Sequence, residues 1–161
     1  MGAEFSKEDI VVVNKELFSS LKSKAEKEKL KRFRLCLHKD HESPIQEMII
    51  AINHMSYVQP HRHPGGRVES YSILEGELDV FIFDEEGKIK DLITLSSQGS
   101  SRILRIENNN WHMPIAKSEW AVYHEILEGP FVKDEVVEYA DWAPEQDSKN
   151  AYSYRKELYG I

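Results

Sequence analysis

A short run of potential metal ligands constrains this chain more than any other feature of its sequence. His61 and His63 are separated by one residue, Glu69 follows after a turn-forming stretch at 64–66, and His112 lies further along. Residues two apart in a strand point to the same face, so the first two imidazoles lie side by side. The turn can return Glu69 beside them on a second strand. Neutral imidazoles and one carboxylate suit a borderline or hard divalent cation, so the sequence predicts a metal site on β-strands.

Short segments with the periodicity of strands fill the middle of the chain, and turn-forming residues separate them. We predict strands over 32–38, 46–53, 56–60, 68–75, 77–83, 89–95, 102–107, 111–116 and 120–127, with one of the turns at 108–110. An apolar stripe behind the potential N-cap Asn14 predicts a helix over 14–28 that packs on other elements. The lead-in before it is expected to be poorly anchored, with 10–13 as a candidate edge strand.

Length, charge and cysteine content limit the classes of protein. The 161 residues suit one domain, with an N-terminal extension and helix at 1–30, a barrel at 31–130 and a tail packing on the barrel at 131–161. The formal charge of −7 argues against nucleic acid as a partner. Cys36 is the only cysteine and is expected to be packed. We find no apolar run of membrane-span length and no signal-peptide core, so we expect a cytoplasmic protein.

Two of the predicted strands are apolar on both faces, at 48–52 and at 80–83. Such strands need a cover on the side that faces away from the barrel interior. The helix at 14–28 can supply part of that cover, and a second subunit can supply the rest. The sequence therefore predicts a homodimer.

The spacing of the ligand residues resembles the first motif of the cupin superfamily. That motif has a glycine, His-x-His, a glutamate after a few residues, then six residues and a glycine. The matching residues are His61, His63, Glu69 and Gly76, with six residues at 70–75 between the last two. The upstream glycine is absent.

The second cupin motif, Pro-x-Gly-x-x-His, is degraded in this chain. His112 is its histidine, but Glu107 and Asn109 stand where proline and glycine usually fall. Asparagine tolerates the left-handed backbone conformation better than other non-glycine residues, so the turn can survive. The resemblance implies an all-β, cupin-type double-stranded β-helix (jelly-roll) barrel, here with an N-terminal helix.

A narrower resemblance is to the WbuC family of cupin-fold metalloproteins, which are bacterial and often linked to O-antigen or other surface-polysaccharide gene clusters. It covers roughly residues 30–145. The segments that carry it are 57–64, 69–83, Trp111-His112, 128–130 and 142–144. The resemblance implies the fold, the metal site and a link to polysaccharide assembly, but no particular reaction.

Three imidazoles and one carboxylate leave open positions on a five- or six-coordinate ion, which is typical of a working site and not of a closed structural one. The expected cofactor is one divalent transition metal (Fe, Mn, Zn or Ni), and the ligand types do not choose among them. The residual positive charge favours a small, oxygen-rich ligand. As a Lewis acid the metal would stabilise an enediolate, as in sugar isomerisation or epimerisation. The link to sugars comes from the family resemblance.

Strand parity places further polar side chains near the predicted metal. Tyr71 shares parity with Glu69 and is a candidate for catalysis and for substrate binding. Gln59 shares parity with His61 and is a candidate for substrate binding. Both predictions require that these segments are regular strands.

The strand at 120–127 leaves two orientations open. Either Tyr123 and Glu125 face the site, or His124 does, and the apolar pattern does not decide. In the first orientation Glu125 is the candidate catalytic base and Tyr123 a candidate substrate-binding residue. His38 and His41 flank a polar turn and are expected to be solvated.

Three functions remain open from the sequence. The first is a metal-dependent enzyme acting on a sugar or nucleotide-sugar in lipopolysaccharide (O-antigen) biosynthesis. The second is a non-catalytic, metal-bound ligand sensor or binding module. The third is an iron-dependent dioxygenase. An inward base on 120–127 favours the first, a wholly apolar cavity the second, and bound iron with oxygen consumption the third.

Overall fold

Two β-sheets packed face to face form the body of the molecule. A computed structural model describes residues 2–107 and 109–160; Asn108, part of the predicted turn, lies outside this description. The helices of the described part are α1 (Lys15–Lys27), α2 (Lys133–Val136) and α3 (Ala151–Leu158). Its strands are β1 (Gly2–Phe5), β2 (Arg32–Cys36), β3 (Ile45–Asn53), β4 (His61–Arg62), β5 (Glu69–Glu75), β6 (Glu77–Phe83), β7 (Ile89–Ser96), β8 (Ile103–Ile106), β9 (Trp111–Ala116), β10 (Trp120–Glu128) and β11 (Glu138–Tyr139).

The strand order identifies the architecture as a jelly roll. One sheet has the order β1-β2-β3-β10-β5-β8, and the other β11-β4-β9-β6-β7. Sequence neighbours such as β5 and β6 thus lie in different sheets, as expected for a barrel built from two wrapped sheets. Apart from the parallel β1–β2 pair, all strand pairs are antiparallel. The predicted fold class, a cupin-type β-barrel with an N-terminal helix, is confirmed.

One predicted strand, 56–60, is wrong. This stretch forms no ladder, and its polar groups find other partners. The Ser56 N–H donates to Asn53 O at 2.8 Å, and the guanidinium of Arg32 donates to Tyr57 O. Pro60 has no N–H to give to a neighbouring strand. The regular strand therefore begins only at His61.

The N-terminal lead-in is better anchored than its sequence suggests. Gly2–Phe5 forms a parallel edge strand on β2, with Gly2 opposite Phe33. A side chain at Gly2 would overlap the Phe33 ring, so only glycine fits there. Residues 10–13 form no strand, and Ile10 is 85% exposed.

Helix α1 covers the outer face of the six-stranded sheet. It begins as predicted, with the Leu17 N–H donating to Asn14 Oδ1 at 3.0 Å. Its buried stripe packs on outward side chains of β2, β3 and β10; the contacting cluster comprises Phe18, Leu21, Ala25, Leu35, Ile49, Ala51 and Val122. The apolar outer face of β3 is therefore buried within the chain.

The C-terminal segment covers the outer face of the five-stranded sheet. Phe81 and Phe83 of β6 pack against Trp142, Tyr159 and their neighbours. The outer faces of β3 and β6 are thus both covered by segments of the same chain. The homodimer was predicted because these faces need a cover, and that reason no longer applies. The homodimer itself stays a prediction. No helix of the described residues is both long and apolar enough to cross a membrane.

The space between the sheets is divided along the barrel axis. Towards one end it is filled by apolar side chains, among them Ile52, Ile73, Leu78, Val80 and Leu95. Towards the other end the inward side chains become polar and the sheets diverge around a cavity. The predicted metal ligands lie in the wall of that cavity.

Candidate metal centre

Four side chains from both sheets meet at one end of the barrel. His61 on β4 and His112 on β9 are direct cross-strand partners in the five-stranded sheet, and His63 follows β4. Glu69 opens β5 in the six-stranded sheet. One ligand atom from each residue lies within 4.8 Å of all the others. This cluster of His61, His63, Glu69 and His112 can hold a metal ion.

Main-chain carbonyls fix the orientation of all three imidazoles. Each Nδ1 lies within hydrogen-bond distance of a carbonyl oxygen, at 3.0, 2.7 and 2.9 Å; the pairs are His61 with Gln59, His63 with Val136, and His112 with Asn110. A carbonyl only accepts hydrogen bonds, so each Nδ1 carries the proton and each Nε2 presents its lone pair to the cluster. Second-shell acceptors of this kind orient the histidine ligands of metal sites.

The atoms that face the centre of the cluster lack hydrogen-bond partners. Buried Nε2 of His63, Nε2 of His112 and Oε2 of Glu69 make no hydrogen bond within the described structure. His112 Nε2 lies 2.8 Å and His63 Nε2 3.3 Å from the same carboxylate oxygen. Orphaned buried acceptors are costly unless a cation joins them. The donor set therefore fits a divalent ion.

The electrostatics of the cluster call for positive charge. Burial lowers the pKa of His61 well below its usual value, which keeps that imidazole neutral. Burial alone would raise the pKa of Glu69, but the neighbouring His112 and His63 outweigh it and keep the carboxylate ionised. Burial lowers the pKa of His63, but the nearby Glu69 carboxylate and the Val136 carbonyl outweigh it, so the net shift is upward. The cluster therefore holds a buried negative charge that a divalent ion would compensate.

A cavity of about 440 Å³ adjoins the cluster and suits a small molecule. Tyr71, Tyr123 and Glu125 line it together with the metal-ligand candidates. This resolves the orientation of β10, because His124 faces away and pairs with Glu47 at 2.9 Å. Of the two orientations left open by the sequence, the one with Tyr123 and Glu125 facing the site is therefore observed.

Burial favours the protonated forms of Glu125, Tyr71 and Tyr123. Burial, aided by the charge of Glu69, raises the pKa of Glu125 to about 8. Burial and the same carboxylates raise the pKa of Tyr71 and of Tyr123 well above the usual value. Both phenols are hydrogen-bond donors at neutral pH, and Glu125 is poised to gain or lose a proton near it.

Gln59 does not line this cavity. Its amide nitrogen donates to Ala140 O at 2.9 Å, so the side chain ties the C-terminal segment to the barrel. The substrate-binding role expected for Gln59 depended on strand parity across 56–60, which is not a strand. Arg62, between the two histidines, points outward and pairs with Glu138 and Glu85 over the ring of Trp111.

Several polar cavity residues were not predicted from the sequence. Among them, Arg32 and Arg34 lie on the inward face of β2, and His38 follows the end of that strand. His38 is buried and not solvated as expected; its Nδ1 is bound to the Glu47 main chain at 2.9 Å. The sequence pattern could have revealed them, because Arg32, Arg34 and His38 share one parity in the predicted strand 32–38. Phe33 and Leu35 have the opposite parity.

The degraded cupin motifs keep their backbone geometry. Asn109 has φ +58°, the left-handed conformation that the missing glycine would adopt. Gly76 has φ +77°, and a side chain there would overlap Trp120 O. The turns that place His112 and end β5 are therefore intact.

Comparison with known proteins identifies the family of the chain. Residues 13–95, more than half of the chain, match a family model described as a domain of unknown function, DUF6016. The chain belongs to this family. No curated protein matches it. The narrower resemblance to the WbuC family is not confirmed by these matches.

One solved structure shares the fold at low sequence identity, and two others are similar to a lesser degree. A Shewanella oneidensis protein is 12% identical over 76% of each chain, with a TM-score of 0.52. A Vibrio cholerae HTH_3 family transcriptional regulator is 23% identical over 72% of this chain and 60% of its own, with a TM-score of 0.49. The cupin domain of Schizosaccharomyces pombe Cnp3 is 11% identical over 65% and 66%, with a TM-score of 0.47. The chain spans less than two thirds of the Vibrio regulator, and such likeness concerns the fold alone.

The raised pKa of Glu125 predicts a pH-dependent effect of Glu125→Gln on stability. The folded carboxyl, with a pKa of about 8, holds its proton in a range where the unfolded one, near 4.5, has lost it. Wild-type stability therefore falls as pH rises between these values, whereas glutamine does not titrate. The stability of the variant relative to wild type should rise across this window, by at most about 1.4 kcal/mol per pH unit.

Urea unfolding of the chelator-treated proteins from pH 4 to pH 9 measures this difference. The matched control is Glu119→Gln, which replaces an exposed side chain and should show no such slope. A difference between Glu125→Gln and wild type that stays constant over the range would contradict the assigned environment of Glu125.

Proposed function

We propose that this protein is a metal-dependent enzyme that acts on a small, oxygen-rich, sugar-derived ligand. The convergence of three oriented imidazoles and one buried carboxylate, with ligand atoms within 4.8 Å, is the observation that carries the proposal. His61, His63, Glu69 and His112 would hold the ion. The proposed setting, assembly of a bacterial surface polysaccharide such as O-antigen, rests on the WbuC-like segments of the sequence.

The donor set narrows the choice of metal to divalent ions that accept nitrogen and oxygen ligands, such as Fe, Mn, Zn or Ni. Cys36 also lines the cavity, but burial raises the pKa of its thiol, which stays protonated. A thiol in that state is a poor ligand. The proposed first shell therefore contains no sulfur.

When bound, a divalent ion supplies Lewis acidity to an oxygen atom of the ligand. The chain's own contribution begins with Glu125, a carboxyl in the same cavity with a pKa near neutrality. A group of this kind can take a proton from a carbon beside a carbonyl and return it elsewhere. Such a transfer is the central step of aldose–ketose isomerisation and of epimerisation.

Tyr71 and Tyr123 complete the polar wall. Their rings are 5.2 Å apart, and both are almost fully buried. As protonated phenols they can donate hydrogen bonds to ligand hydroxyl or carbonyl oxygens. The C-terminal segment contributes Phe131, Val137 and Tyr139 to the cavity wall.

The first prediction from this proposal concerns metal content. The His61→Ala/His63→Ala variant should lose the single metal equivalent that the purified protein holds, because two of four ligands are gone. Elemental analysis per folded chain is the measurement. The control is His54→Ala/His124→Ala, which removes two histidines outside the cluster and should keep a full equivalent. Full retention by the His61/His63 variant would exclude the assigned ligands.

The second prediction concerns proton transfer. When the metal-loaded protein is incubated in D₂O with a panel of sugar acids, sugar phosphates and nucleotide-sugars, one member should gain deuterium at a carbon next to its carbonyl. Glu125→Gln should reduce the exchange rate by about 100-fold or more while metal content is unchanged, since general-base catalysis contributes roughly that factor. Mass spectrometry and NMR locate the label.

The other functions give different results in the same experiment. Tight binding without deuterium uptake would indicate a ligand sensor. Oxygen consumption with oxidation of the ligand would indicate a dioxygenase. Either result would overturn the proposed proton-transfer chemistry.

A further inference from the structure

Two arginines on the same face of β2 have opposite environments. Arg32 is buried, and its guanidinium is fully engaged by Ser56 Oγ at 3.2 Å, by Tyr57 O and by Gln146 Oε1. Arg34, two residues along, also lines the cavity. Its Nη1 lies 3.7 Å from Met48 Sδ, and a thioether sulfur is a weak hydrogen-bond acceptor. The hydrogen bonds of Arg32 therefore stabilise the fold, whereas Arg34 makes no comparable hydrogen bonds within the described structure.

The guanidinium of Arg34 forms no ion pair in the described structure. Its charge favours the ionised form of Glu125 in the same cavity, but burial and the charge of Glu69 still raise the pKa of that carboxyl to about 8. The Nε of Arg34 is buried and makes no hydrogen bond, and no carboxylate of residues 2–107 and 109–160 lies within 4.0 Å of its guanidinium. Arg34 is half-buried and stays charged, so a guanidinium in the cavity wall without a nearby anion is unfavourable. Such a group persists where a bound ligand supplies the missing charge.

The position of Arg34 sets the shape of that ligand. The strands run in the order β2-β3-β10-β5, so Arg34 lies three strand spacings, about 14 Å between main chains, from the strand that carries Glu69. Both residues line the cavity. In register, Arg34 lies opposite Ile50, Tyr123 and Ile73, whereas Glu69 lies opposite Leu127, so Arg34 and Glu69 are also four positions apart along the strands. A ligand that reaches both ends needs an anionic group separated by several bonds from the oxygens at the metal cluster.

We propose that Arg34 is the anion-binding residue of the cavity and that the ligand is a small polyhydroxylated acid. Its carboxylate or phosphate group would pair with Arg34 in a charge-assisted, bidentate fashion, while oxygens at its other end reach the cluster of His61, His63, Glu69 and His112. This inference rests on the proposed function and specifies its substrate class as a sugar acid or sugar phosphate. Neutral sugars lack the group that balances Arg34.

Thermal unfolding in simple anions tests the charge without a known substrate. Wild type, Arg34→Met and the control Arg105→Met are compared in sodium phosphate, acetate and chloride at equal ionic strength. Arg105 is 56% exposed on β8 and outside the cavity. Phosphate or acetate should raise the wild-type melting temperature by about 2 °C or more above chloride. Arg105→Met should keep this rise, and Arg34→Met should lose most of it.

The two anions distinguish the two sources of charge. A response to phosphate alone assigns a sugar phosphate, and a response to acetate alone assigns a sugar carboxylate. In chloride, Arg34→Met should melt at or above the wild-type temperature, because the unpaired charge is gone and methionine packs beside Met48.

Calorimetry with glucose 6-phosphate, gluconate and glucose then measures affinity. Arg34→Met should weaken the charged sugar about tenfold or more and leave glucose unchanged.

The proposal is overturned if neither phosphate nor acetate stabilises wild type more than chloride, or if Arg34→Met responds as wild type does. The His61→Ala/His63→Ala variant separates this proposal from the metal function. An anion response that is kept after the metal is lost would leave the role of Arg34 standing. Metal retention in that variant would instead remove the proposed metal centre alone.

Discussion

The buried carboxylate of Glu69 is the constraint on which the site depends. It comes from the six-stranded sheet, while His61 and His112, which it faces, come from the five-stranded sheet. An ionised carboxylate removed from water costs several kcal/mol, roughly, unless a cation balances it. The compensating charge must lie between the two sheets, as a protonated imidazole or as a bound metal. The electrostatic balance of Glu69 therefore joins the sheets at the end of the barrel where apolar packing stops.

The C-terminal segment is part of the site as well as a cover. Val136 O orients His63, Ala140 O binds Gln59, and Glu138 holds Arg62 on the outer side of β4. These contacts link the geometry of the ligands to residues more than 70 positions away in the chain. The outward and inward residues of β4 therefore have different roles. Arg62 fastens the segment, while the histidines on either side of it face the cavity.

The sequence predicts those features that depend on local periodicity. Strand alternation and spacing identify the ligand residues and the inward position of Tyr71. The alternation on β10 is ambiguous, because both of its faces are partly apolar, so the inward position of Glu125 appears only once β3 and β5 are in register with it. Gln59 was misplaced because parity does not apply outside a strand. Main-chain carbonyls such as Val136 O have no side-chain signature, so these second-shell partners cannot be found from sequence.

X-ray absorption spectroscopy of the metal-loaded protein tests the central claim most directly. We expect the metal to be coordinated by nitrogen and oxygen atoms only, with multiple scattering from three imidazoles and a remaining light-atom contribution from Glu69 and exchangeable ligands. The distances should be near 2.0–2.2 Å, roughly those of nitrogen and oxygen ligands to such ions. A sulfur contribution near 2.3 Å, which would implicate Cys36, or scattering from fewer than two imidazoles would contradict this coordination.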